Sequence, residues 1–253
     1  MIVAKIVYEK SKGLTDMPLT YCPGCGHGII HKLTAESLVE LGVLERAVVI
    51  SPVGCAVFCY HVFNCDGISA AHGRAPAVAT GIKRANPEAI VFTHQGDGDL
   101  ASIGMAEIIH AAHRGENITV IFVNNAIYGM TGGQMAPTTL IDQKTSTSPY
   151  GRTEPLHGMP LRVSEMLAQV PSARYIERVS LHDIPHIRRA KKAIRKAFSN
   201  QVERKGFSMV EILSPCGIGW GLTPVQSMRF VKEQMLPYYP LGVYKDEEGG
   251  AAQ

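Results

Sequence analysis

The chain has 253 residues, 45% hydrophobic and 19% charged, an ordinary globular composition long enough for one full core or a core with appendages. A formal net charge of +3 carries neither the footprint of a nucleic-acid-binding surface nor that of a polybasic membrane anchor. No apolar run reaches the roughly 18 residues that span a bilayer, and Met1 to Lys12 mixes Lys5, Glu9, Lys10 and Lys12 with short apolar pieces, so a cytoplasmic protein is expected.

After a short opening segment comes Cys22-Pro23-Gly24-Cys25-Gly26-His27, a turn that leads into an amphipathic helix from Ile29 to Leu41. A Cys-x-x-Cys at a helix start serves a redox pair, half a zinc site or two cluster ligands, and its position alone does not choose among them. The strand Ala47 to Ile50 then runs into Gly54-Cys55. In a reducing compartment the six cysteines read as metal ligands or redox groups rather than disulfides. Cys59 and Cys65 lie in the less regular stretch 56–70 and are expected to be structural.

Ala71-His72-Gly73-Arg74-Ala75-Pro76 opens a small-residue helix from Ala77 to Ala85. At a ligand edge His72 would be an acid–base group and Arg74 a carboxylate anchor; the plainer reading is a loop histidine and an arginine capping local carbonyls. An apolar strand, Ala89 to Thr93, leads into Gly96-Asp97-Gly98-Asp99. A helix from Ser102 to His113 follows, and a second strand, Ile118 to Val123, leads into Asn124-Asn125. From Asp99 about 15 helical residues descend about 22 Å at ~1.5 Å each, and the next seven-residue strand climbs about 23 Å at ~3.3 Å each. The two lengths match. Asp97 and Asn125 should therefore meet at the carboxyl edge of one parallel sheet, where open α/β sheets bind ligands. A carboxylate, an amide oxygen and a loop carbonyl make a hard oxygen set that suits Mg²⁺. Glycines beside them let backbone N–H groups approach a phosphate at a helix N-terminus.

Beyond Asn125 the chain is glycine-rich through Ile127, Met130 and Thr131, then irregular from about 135 to 160, far longer than ordinary connections. A helix Val163 to Gln169, a strand Arg174 to Val179, a basic helix near Ile184 to Arg204 and a strand Ser208 to Leu213 follow. The basic face is read as solvated, with an acidic partner as the alternative. The last strand ends in Ser214-Pro215-Cys216, and a helix from Pro224 to Met235 precedes a polar tail, so that a C-terminal helix and tail occupy about 222–253. One α/β domain over 1–253 is expected, a parallel sheet with helices on both faces. Cys22 and Cys25 together, with Cys55 and Cys216 at two separate strand ends, suit a cluster clamped between loops better than a zinc site built from two close pairs. Scattered core cysteines remain the plain alternative.

G-D-G and N-N, with 25 residues from Asp99 to Val123 between, resemble the thiamine diphosphate signature. By that resemblance Asp97 and Asn125 would hold Mg²⁺ by side chains and Ile127 by its carbonyl, with Gly96, Gly98 and Asp99 lining the diphosphate. Together with C-P-G-C-G-H, G-C, H-G-R-A-P, N-N-A-I-Y-G-M-T-G-G-Q and S-P-C, the chain resembles, over about residues 15–225, the β subunit of a 2-oxoacid:ferredoxin oxidoreductase. The resemblance implies the diphosphate-binding half of a thiamine diphosphate-binding fold. It further implies a 4Fe-4S cluster on Cys22, Cys25, Cys55 and Cys216, and Gly54, Cys55, Met130 and Thr131 near the cofactor. It implies oxidative decarboxylation of a 2-oxoacid with coenzyme A to acyl-CoA, CO₂ and reduced ferredoxin. An α subunit would supply the pyrimidine-binding domain and its glutamate, and further small subunits would include a ferredoxin-like one. Ala56-Val57-Phe58, just after the third cysteine, offers no cation for a second carboxylate, which favours a branched-chain 2-oxoacid over 2-oxoglutarate. A non-redox thiamine decarboxylase subunit would leave the four cysteines unused. A zinc- or cluster-binding interaction module would leave the Mg²⁺ and diphosphate edge unused.

Overall fold

The computed structural model describes residues 8–247; residues 1–7 and 248–253, where the opening segment begins and the polar tail ends, lie outside the described residues. The strands are β1 (Ala47–Ser51), β2 (Asp66–Ser69), β3 (Ile90–Gly96), β4 (Thr119–Asn124), β5 (Ala173–Ser180), β6 (Phe207–Leu213) and β7 (Gly242–Asp246). They form one sheet in the order β2-β1-β3-β4-β6-β5-β7. All pairings are parallel except β5 with β7, which is antiparallel.

Side chains alternate across a strand, so the central β4 feeds two cores at once. Ile121 and Val123 pack with the helices His27–Glu40 and Ile184–Val202 through Ile30, Leu33, Ile194 and Phe198. Val120 and Phe122 pack on the opposite face with the helices Ala75–Ala85, Met105–His113 and Val163–Ala168 through Ala79, Ile108 and Leu167. A third cluster, with Ala126, Leu140, Leu213, Val231, Met235 and Tyr239, closes the region beyond the strand ends. No helix among the described residues is long and apolar enough to cross a membrane.

The expected parallel sheet thus gains two edge members. β2 lies inside the stretch read as irregular, and β7 inside the polar tail. Both lack the apolar alternation by which a half-buried strand is recognised, and all four β2 residues are exposed. The helix expected from Ser102 instead begins as a wide π-type turn, Asp99–Ile103, and becomes α-helical only at Met105, after Gly104. On the basic helix, Lys191 bridges to Glu36 and Glu40 of the first helix at 2.7 and 2.6 Å, so part of its charge is paired within the molecule.

Candidate cofactor and cluster site

The adjacent strands β1, β3, β4 and β6 run in one direction, so the segments leaving their carboxyl ends emerge side by side. Those segments carry Cys55, Asp97, Asn125 and Cys216 in that order. The first three open onto a cleft of about 110 Å³. Gly54, Cys55, Gly96, Asp97, Gly98, Asp99, Asn125, Ile127, Met130 and Thr131, all expected near the cofactor, line it, as does His72. Arg74 does not. It forms an ion pair with Glu107 on the helix Met105–His113. Of Ala56, Val57 and Phe58, Ala56 alone lines the cleft, and Phe58 lies edge-on to Tyr21, with ring centroids 5.9 Å apart.

At the floor of the cleft one terminal atom of the Asn125 carboxamide lies 3.2 Å from Asp97 Oδ1 and 2.7 Å from the Ile127 carbonyl oxygen, and without a cation the amide satisfies both by donating its N–H groups to them. Turned by half a rotation, the same amide presents its oxygen beside the other two. Neighbouring oxygens of an octahedral Mg²⁺ at ~2.1 Å lie about 3.0 Å apart, so a carboxylate, an amide oxygen and a carbonyl at this corner have the donor type and spacing that ion takes.

Burial pushes the Asp97 carboxyl up to about 6, against the lowering effect of hydrogen bonds from the Thr138 hydroxyl and backbone N–H groups. Thr138 Oγ1 donates to Asp97 Oδ2 at 2.5 Å, which leaves Oδ1 toward Asn125. Thr138 was not foreseen; no motif surrounds it, and it arrives from the long loop.

The turn after β4 is tied from several sides. Ala126 takes φ +55°, a left-handed conformation uncommon for a side chain. Its N–H donates to Asn124 Oδ1 at 3.2 Å, and its carbonyl accepts from Thr139 Oγ1 at 2.7 Å and Gln143 Nε2 at 3.1 Å. Asn124 Nδ2 donates to Glu211 at 2.7 Å, and Glu211 is paired at 2.9 Å with Arg178, both fully buried. The first Asn of the pair therefore holds the turn, while the second faces the cleft.

Asp99 is also committed. Its carboxylate accepts from Gly73 N (2.9 Å), Val53 N (3.3 Å) and Gln95 Nε2 (2.6 Å), tying two loops to the end of β3. His72 Nδ1 lies 2.7 Å from Asp99 Oδ1 without the alignment of a hydrogen bond.

The thiols gather beside the same cleft. A Cβ added at Gly129 would lie 3.2 Å from Cys216 Sγ and 3.6 Å from Cys55 Sγ, so those two sulfurs converge over its Cα. Gly26 explains how Cys22 and Cys25 come close. Its Cα abuts Ser214 of the Cys216 segment so tightly that a Cβ would sit 2.1 Å from the hydroxyl. Burial raises the Cys25 thiol to about 11 and Cys216 to about 12, and raises Cys55 as well. Charge on the neighbouring thiols adds to each: Cys55 and Cys22 act on Cys25, Cys22 on Cys55, and Cys25 and Cys55 on Cys216. Three thiols that resist ionisation, with Cys22 beside them, are a donor set that a cationic cluster would hold as thiolates. Cys59 is buried in the core and Cys65 packs against it, apart from this group.

A family model for the C-terminal TPP-binding domain of thiamine pyrophosphate enzymes matches residues 53–212. The chain is 52% identical over 240 residues to the ketoisovalerate oxidoreductase subunit VorA of Methanothermobacter thermautotrophicus, an alignment covering 95% of this chain and 50% of that protein. It is 37% identical over 227 residues to the 2-oxoglutarate synthase subunit KorB of Methanocaldococcus jannaschii, covering 87% of this chain and 79% of that one. Among solved structures, a 2-oxoglutarate:ferredoxin oxidoreductase from Magnetococcus marinus with 2-oxoglutarate, coenzyme A and succinyl-CoA bound superposes with a TM-score of 0.80 at 26% identity. That match covers 97% of this chain and 87% of the other. The chain spans about half the length of the VorA relatives it matches.

Proposed function

The chain belongs to the thiamine diphosphate-binding subunits of the 2-oxoacid:ferredoxin oxidoreductases, and from that membership we propose that it carries Mg²⁺, thiamine diphosphate and one 4Fe-4S cluster in an oxidative decarboxylase of 2-oxoacids. The convergence of Asp97, Asn125 and the Ile127 carbonyl at one corner of the cleft is the observation that carries this reading. Those three would hold Mg²⁺, and Gly96 and Gly98 leave the backbone open to the diphosphate. Cys22, Cys25, Cys55 and Cys216 would hold the cluster, close enough to the cleft that Cys55 lines both. When bound, thiamine diphosphate supplies the carbanion chemistry and the cluster a one-electron outlet toward ferredoxin. This chain's part is to bind, orient and bury: Thr138 fixes which Asp97 oxygen faces the metal, and Asn124, Thr139 and Gln143 hold the turn that presents Asn125 and Ile127.

The substrate we favour is a branched-chain 2-oxoacid such as 3-methyl-2-oxobutanoate, with coenzyme A as acyl acceptor. Among the described residues lining the cleft there is no lysine or arginine, and Arg74 is engaged by Glu107. A second substrate carboxylate would have to be buried without a cation from this chain, which is costly. The greater identity to the ketoisovalerate subunit than to the 2-oxoglutarate one points the same way. A partner α subunit would complete the site with the pyrimidine-binding half and its glutamate, and a small ferredoxin-like subunit would lead electrons out.

The test is the complex purified without oxygen, with cluster reduction followed after addition of coenzyme A and each of 3-methyl-2-oxobutanoate, 2-oxoglutarate and pyruvate. Fast reduction by the branched acid is expected, and none is expected from this chain alone. A preference for 2-oxoglutarate would put a cationic anchor on the partner and overturn the branched-chain choice. No reduction by any of the three would overturn the oxidoreductase reading.

A further inference from the structure

Between the end of β5 at Ser180 and the start of the basic helix Ile184–Val202 the chain turns through Leu181-His182-Asp183 and runs on into Ile184-Pro185-His186. None of these residues lines the cofactor cleft. Asp183 caps the helix, its Oδ1 accepting from His186 N at 2.9 Å. A cap needs only one side-chain oxygen. It accounts neither for a histidine on each side of the carboxylate nor for where the two rings lie.

His182 Nε2 lies 3.2 Å from Asp183 Oδ2, the oxygen the cap leaves over, and makes no hydrogen bond with any described residue. The His182 side chain is only 4% exposed. Its other ring nitrogen, Nδ1, is held at 2.8 Å by the hydroxyl of Ser180, a fully buried residue. His186 Nδ1 lies 2.5 Å from Asp183 Oδ1, and the two imidazole centroids are 4.1 Å apart. One ligand atom from each of the three residues lies within 4.8 Å of the others.

We propose that His182, Asp183 and His186 form a binding site for a divalent ion of the zinc type. Two imidazole nitrogens and one carboxylate oxygen select Zn²⁺, and with it Ni²⁺ and Cu²⁺, over Mg²⁺ or Ca²⁺, which take oxygen shells. Ligands of a tetrahedral Zn²⁺ at ~2.0–2.1 Å stand about 3.3 Å apart, close to the separation of Nε2 and Oδ2. A histidine that ligates a metal through one nitrogen almost always commits the other to a hydrogen-bond partner, the part Ser180 plays for His182. The cation would replace the proton between His186 Nδ1 and Asp183 Oδ1; that proton passes to Nε2 of a neutral ring, or to solvent from a charged one. The fourth position is left to water. The Lys232 ammonium acts on His182 from another element and tempers the affinity.

Calorimetric titration of Zn²⁺ into the complex purified without oxygen, with variants matched in iron and thiamine content, tests the site. Wild type should take up one more Zn²⁺ per copy of this chain than His182→Ala or His186→Ala, in the presence of excess Mg²⁺. Asparagine caps a helix as well as aspartate does, so Asp183→Asn should keep the fold and weaken that Zn²⁺ by at least about 100-fold, more than an outer partner typically costs. Ser180→Ala, which removes such an outer partner, should weaken it about 10- to 100-fold. Equal uptake by wild type and the variant carrying both His182→Ala and His186→Ala would overturn the proposal. So would displacement of this Zn²⁺ by an equal concentration of Mg²⁺, or an Asp183→Asn complex that binds as tightly as wild type.

Discussion

Asp97 concentrates the chemistry of the site in one carboxylate. Burial raises its pKa to about 6, so at neutral pH the cofactor-free protein holds a charge in surroundings that disfavour it. A rise from the ordinary carboxyl range to about 6 corresponds to ~3 kcal/mol. The sign is that of a raised carboxyl: the penalty is present above pH ~6 and disappears as pH falls toward the unfolded value of about 4. A divalent cation would remove the same penalty by pairing the charge. Asp97→Asn should therefore split folding from binding. The metal-free variant should melt higher, by about 1–3 kcal/mol at pH 7.5, since Thr138 can still donate to the amide oxygen. Mg²⁺-dependent thiamine diphosphate binding, measured by calorimetry, should weaken by more than the 10- to 100-fold that loss of an outer partner typically costs. A variant that binds as tightly as wild type would remove Asp97 from the metal site.

The long segment 135–160 shows how an element without regular structure can still be fixed. Arg152, 4% exposed, donates to six carbonyls: Ala136, Pro137 and Thr139 through Nη1, His157 and Met159 through Nη2, and Gly158 through Nε. That guanidinium replaces the missing ladder and delivers Thr138 to Asp97. Arg152→Gln should cost ~3 kcal/mol or more, because several buried carbonyls lose a charged donor. It should also expose this segment first to limited proteolysis and weaken Mg²⁺–diphosphate binding. Thr138→Val should weaken binding without opening the loop, and equal protease resistance in Arg152→Gln would show the segment is held otherwise. Elements of this kind mark the limit of what is legible in sequence. β3 and β4 were readable because strands buried on both faces are continuous apolar runs, and the polar residues that end them stood out against those runs. Thr138, Arg152, Trp220, whose indole donates to the Asn125 carbonyl at 3.0 Å, and His94 meet the site only through tertiary packing. The π-type turn at Asp99 has the same cause: Asp99 ties the loops of Val53 and Gly73, and Gly73 lies against Gly104, where a Cβ would sit 2.7 Å from its carbonyl oxygen. Arg74 was readable as a charge, not as a partner of Glu107.

At the scale of the whole molecule, the buried histidines under the cleft set how stability responds to acid. Burial lowers His27 to about 4 and moves His31 and His94 well below their usual range, with each imidazole further disfavouring charge on its neighbours at His31 and His94. The unfolded chain takes up protons near pH 6.5 that the folded chain refuses, so their contribution is complete above pH ~6.5 and is lost as pH falls through the window down to about 4. At pH 5.5 each site that titrates only in the unfolded state costs about 1 kcal/mol, a unit of pH being worth that much. Asp97 works against this, since a carboxyl raised to about 6 gains a proton in the folded chain, but it is one group against three. The histidines win, and a contribution on the order of a few kcal/mol is a large share of a typical folding free energy of about 5–15 kcal/mol. Denaturant titrations of the metal-free chain between pH 7.5 and 5.5 should show a falling midpoint at constant slope, with Asp97→Asn steepening the fall by removing the opposing carboxyl. A midpoint that stays level would mean the three rings are charged or solvated in the folded state.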